Sequence, residues 1–171
     1  MTIHNKIEMH APRGETRLTG AEWLVGVGFR CWLAGYDTGN IGCWEKGWNA
    51  YARALGTERA KRTVTELACW VRAVRSSASR TIEYYPVNCA VFCRDECMAI
   101  SLIAASQHHR CPAMRACAFA LTGSDLVQPV IDAANAFADA MQEAEQFLSP
   151  EAVAALAAGH DESYKRPSAR H

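Results

Sequence analysis

Residues 81–121, TIEYYPVNCAVFCRDECMAISLIAASQHHRCPAMRACAFAL, carry five of the eight cysteines and the only adjacent pair of histidines. The stretch predicts two helices in series. Pro86 suits a first helical turn, where its missing N–H is not needed, and it pushes Tyr85 out of the helical region, so one helix is predicted over 86–107 with residues 81–85 as an extended connector. Cys111-Pro112 opens a second helix, which Thr122-Gly123 ends.

Cys89, Cys93 and Cys97 recur at i, i+4 and i+8. At ~100° per residue they fall within about 80° of one another on one side of a helix, the side that also carries Ile100, Ile103 and Ala104. Two readings follow. Thiolates bind soft ions, so Cys89, Cys93 and Cys97, joined by Cys117 from the next helix and by His108 and His109, are candidate ligands for Zn, Cu or an iron–sulfur cluster. Free cysteine is also a small hydrophobe and one of the most buried residue types, so the same thiols serve equally as core filler.

Cys111 is a separate case. It follows His108-His109-Arg110 and starts a helix, and both the helix N-terminus and neighbouring cations stabilise a thiolate, which makes it the candidate reactive thiol. Cys117 lies six residues on and faces a different side, so a disulfide switch at Cys111 would require helix unwinding or another partner such as Cys97. The Cys-Pro dipeptide with histidines beside it resembles the short haem-regulatory motif of haem-responsive proteins. Haem ranks behind the soft metals, because that motif is only two residues long.

Upstream, Thr19 and Glu22 have the S/T-x-x-E form of a capping box ahead of a helix over 19–34. That helix is apolar nearly all round, which predicts a central position among other helices, and Gly26 and Gly28 would let a neighbour approach closely. Gly35 is a stop signal, and 36–42 is rich in turn residues. Trp44, Trp48, Tyr51 and Leu55 form an aromatic face on a helix over 41–55. Thr57 is a reasonable N-cap for the next helix, over 58–79, where Val64, Leu67, Ala68, Val71 and Val74 make an apolar face with Arg and Lys outside.

Downstream, Val127, Val130, Ile131, Ala134, Phe137 and Met141 line one face of a helix over 125–148, predicted to pack across the two central helices over 23–34 and 86–107. A short Ala-rich helix is predicted over 150–158. The fold class is therefore all-α, a compact bundle of six or seven helices forming one domain over 18–158, with an N-terminal arm over 1–17 and a tail over 159–171 of disorder-like composition.

Formal net charge is zero, so the chain lacks the basic footprint of a nucleic-acid or membrane-surface binder. The balance is uneven along the chain, with twelve Lys/Arg against seven Asp/Glu in residues 1–80 and six against eleven in 81–171. The basic 53–80 segment and the acidic 121–162 segment can thus face each other, within one chain or across a homodimer. No charged-then-apolar leader pattern is present, and the longest apolar stretch, 23–34, is broken by Arg30, which together predict a cytoplasmic protein whose cysteines are free thiols, metal ligands or redox centres.

These features predict a small cytosolic binding or regulatory protein whose cysteine cluster holds a soft metal or senses redox state. The competing expectation is a helical protein-interaction module, dimeric, with cysteines only as packing. Catalysis is the least supported class: Cys111 would need a base such as His108 or His109 and an orienting acid, sequence neighbours at a helix junction need not point together, and the chain has no phosphate-cradling Gly loop, H-E-x-x-H or G-x-S-x-G. Arg94-Asp95-Glu96 is expected to be a surface ion-pair cluster.

Overall fold

A computed structural model of the chain describes residues 20–150 and places six helices there, with no strand among them: α1 (Gly20–Thr38), α2 (Ile41–Leu55), α3 (Thr57–Ser77), α4 (Arg94–Gln107), α5 (Cys111–Thr122) and α6 (Gln128–Glu143). The predicted arm, the Ala-rich helix and the tail lie outside the described residues.

α1 is buried along most of its length, packed against α2, α3 and α4. Two of its glycines make that possible. A Cβ on Gly28 would lie 2.5 Å from the Tyr51 hydroxyl, and one on Gly26 would lie 2.6 Å from the Phe92 ring. The helix passes through the predicted stop at Gly35, where Trp44 of α2 packs on the bare backbone, and ends before Gly39 at φ 68°. Asn40 then caps α2 by accepting from the Gly42 N–H at 2.9 Å.

The bounds of α2 match the prediction. Gly56, with φ 77°, stands before α3 as its cap residue in place of Thr57. Leu67, Trp70, Val71 and Val74 of α3 are fully buried. Trp70 lies between Phe29 of α1, with ring centroids 5.4 Å apart, and Phe137 of α6, at 5.3 Å and nearly parallel, so one aromatic stack joins three helices.

α6 packs along α3. There the basic and acidic segments meet within one chain, through Arg59–Glu145 at 2.8 Å and an Arg62–Glu143 pair. All four side chains are exposed, so these pairs orient the two helices and add little stability.

Two predicted helices are shortened by tertiary hydrogen bonds. The helix expected over 125–148 spans only Gln128–Glu143, because the Gln107 side chain takes the Leu148 N–H at 2.9 Å and the Gln146 carbonyl at 2.9 Å, drawing the chain out of helix. The one expected over 86–107 begins at Arg94. Residues 78–93 instead form an irregular connector whose backbone groups are claimed by Arg30, Asp95 and Glu96.

Candidate functional site

The connector is held by two carboxylates in the first turn of α4. The Glu96 carboxylate accepts the Cys93 N–H at 2.7 Å, as in a capping box with cysteine at the cap position, and the Tyr85 N–H at 3.3 Å. It also faces Arg30 of α1, whose Nε lies 2.5 Å from Oε1 and whose Nη2 lies 2.9 Å from Oε2. The rest of the guanidinium binds the connector directly, donating to the Cys89 carbonyl at 2.7 Å and the Val91 carbonyl at 2.6 Å, with Phe92 stacked 4.8 Å away.

Both partners are fully buried. Burial alone would lower the Arg30 pKa, but its hydrogen bond to Glu96 and that residue's charge outweigh it and raise the value.

Asp95 makes the second anchor, accepting from both Nη atoms of Arg80 at 2.8 and 2.7 Å and from the Glu83 N–H at 2.8 Å. The expected surface cluster is corrected accordingly. Arg94 is exposed, whereas Asp95 and Glu96 are buried and hold a sixteen-residue connector by its backbone.

Against α1 and α2 the anchored connector forms a cleft of about 820 Å³. Trp23, Val27 and Cys31, four residues apart on α1, make its floor. Lys46, Asn49 and Arg53 stand along α2, and residues 87–90 close the third side. Trp23 is 47% exposed, and Lys46 donates to Asn88 Oδ1 across the cleft.

The predicted thiol line does not form. Cys89 is half-buried in the connector and lines the cleft, Cys93 is the buried cap residue of α4, and only Cys97 is inside the helix. The Cys93 thiol donates to the Glu83 carbonyl at 3.2 Å. Cys97 and Cys117 are buried within the helical core.

His108, His109 and Cys111 lie at the far end of α4. Its fourteen residues separate them from Cys93 by about 20 Å. His108 Nε2 is 2.8 Å from the Leu148 carbonyl, His109 has φ 53°, and Cys111 is exposed at the start of α5. Among the described residues no three His, Cys, Asp or Glu side chains are grouped closely enough to hold a metal ion.

Burial sets the chemistry of the inner thiols. It pushes Cys31 and Cys93 up to about 11 and Cys97 up to about 12, and it raises Cys117. Against an ordinary value of 9.0, the unfolded chain releases these protons at lower pH than the folded one. Their contribution to stability is therefore whole below pH 9 and is lost as pH rises toward 11–12. Urea unfolding of Cys97→Val should show a shallower loss of stability between pH 8 and 10.5 than the wild type, at a cost near neutral pH below about 1.5 kcal/mol. An unchanged slope would mean that this thiol ionises freely.

Sequence reasoning overlooked Arg30 and Glu96 as a pair, although a lone arginine inside an otherwise apolar helix already called for a buried acid. It also overlooked the cleft, which depends on where the connector lies. No family model matches the chain, and neither curated proteins nor solved structures gave a significant match. Among the described residues no helix is long and apolar enough to cross a membrane.

Proposed function

We propose that this chain is a helical binding protein whose working surface is the cleft between α1, α2 and residues 87–90, with the buried Cys93, Cys97 and Cys117 serving as packing. The supporting observation is a cleft of about 820 Å³ whose third wall is fixed by a fully buried, multiply hydrogen-bonded ion pair. That volume lies within the range of small-molecule sites, and a wall held in advance lowers the ordering cost of binding. The lining supplies apolar surface, two amides and two cations, a set suited to holding a molecule.

Nile red, a neutral apolar dye, tests this reading. One saturable site is expected, and Ala54→Trp, an exposed position that points its new ring into the cleft mouth, should weaken binding at least tenfold at unchanged melting temperature. Binding that ignores Ala54→Trp would place the dye elsewhere and remove the proposal.

A soft-ion or redox role has one observation in its favour: Cys31 and Cys89 line the same cleft. Elemental analysis of protein purified anaerobically separates the readings. Stoichiometric Zn, Cu or Fe with both thiols protected from alkylation supports the thiol role, whereas metal-free protein with eight reactive thiols on unfolding removes its metal form.

A further inference from the structure

The cleft has a charge pattern that its volume alone does not require. Among the described residues, its two ionisable non-thiol lining residues are both cationic, and no Asp or Glu lines it. Lys46 is tied to Asn88, but Arg53 makes no ion pair or hydrogen bond with any described residue. Arg30, Arg59, Arg62, Arg75 and Arg80 each face a carboxylate, whereas Arg53, like Arg72, Arg94 and Arg110, has none among the described residues; of these four it alone lines the cleft. Arg53 is exposed and stands on the same face of α2 as Lys46, two turns or about 10.5 Å away.

Between the two cations lies an apolar track. Trp23, Val27 and Cys31 on α1 face Ala50 and Ala54 on α2, with Val87 beyond. The Cys31 thiol is buried and pushed up to about 11, so it enters this surface as an uncharged group.

We infer that the cleft takes a small amphipathic anion, with a carboxylate or phosphate head on Arg53, Lys46 adding to the field, and an apolar tail along Trp23 and Val27. The planar guanidinium presents paired donors that match either head group, and a charge-assisted bond to it is stronger than a neutral one. A monomeric ligand is favoured over a bilayer because the apolar surface lies inside a cleft between two helices and a loop. This inference rests on the cleft being the binding surface.

Calorimetry on the full chain with decanoate, decyl phosphate, decanol and decyltrimethylammonium, all below their micelle thresholds, tests it. Either anion should bind about tenfold tighter than decanol, and the advantage should shrink as salt is raised. Arg53→Gln should erase that advantage and leave decanol binding unchanged, and Lys46→Glu with Arg53→Glu should transfer the preference to the ammonium probe.

Equal affinity for anion and alcohol would overturn the anion assignment while leaving the cleft intact as a binding surface. Failure of all four probes and of Nile red would remove the cleft itself. Binding to phosphatidylglycerol vesicles with no monomer binding would also overturn the inference. A preference for one head group over the other distinguishes carboxylate from phosphate ligands.

Discussion

Replacing Glu96 with Gln is expected to destabilise the fold by about 3–5 kcal/mol, a larger effect than any single surface ion pair of this chain would give. The substitution keeps the shape of the side chain. It leaves the Arg30 charge buried without its counter-charge and weakens the acceptor for the Cys93 and Tyr85 N–H groups. Arg30→Met should cost a similar amount, because it strands the carboxylate and frees the Cys89 and Val91 carbonyls.

The double variant Arg30→Met with Glu96→Leu should recover part of the loss, with a coupling of about 0.5–3 kcal/mol. Full recovery is not expected, since the connector's backbone groups still lose the partners that hold them. Urea unfolding measures the stability, and alkylation of Cys89 and Cys93 reports the connector. A Glu96→Gln protein within 1 kcal/mol of wild type, with both thiols as protected as before, would refute the role given to the pair.

Trp70→Ala should be nearly as damaging, at about 3–5 kcal/mol, because it empties the space between Phe29 and Phe137 and unlinks α1, α3 and α6. Trp70→Phe separates ring packing from hydrogen bonding. The Trp70 Nε1–H is buried with no partner among the described residues, so removing it forfeits no bond there, and the remaining cost is the smaller ring. Less than half the alanine loss is expected in urea unfolding. Equal losses would mean that the indole N–H contributes through a contact the stack does not explain.

Much of the helical layout was legible in periodicity. The aromatic spacing of Trp44, Trp48 and Tyr51 marked α2, and the predicted Leu67–Val71–Val74 and Val130–Ala134–Phe137 faces are the buried sides of α3 and α6, two helices that pack against each other. The opposite charges on the two segments were visible in composition. Their pairing within one chain needed the packing.

The stretch most prominent in the sequence was the one least determined by local pattern. Cys89 and Cys93 fit a helical repeat, but the Arg30 guanidinium, some sixty residues away, binds the Cys89 and Val91 carbonyls, and Glu96 binds the Cys93 N–H. Those tertiary bonds hold 86–93 in a non-helical path. The cleft depends on the same event, so Lys46 and Arg53 read as ordinary outer residues of α2 until the connector is placed beside them.

Amide NMR mapping of a decanoate titration on the full chain tests the binding surface most directly. Shifts are expected to saturate together at Trp23, Val27, Lys46, Arg53 and 87–90, to spare α5 and the His108–His109 end of α4, and to weaken in Arg53→Gln. Shifts gathered around His108, His109 and Cys111, or spread evenly without saturating, would contradict the assignment of the cleft as the site.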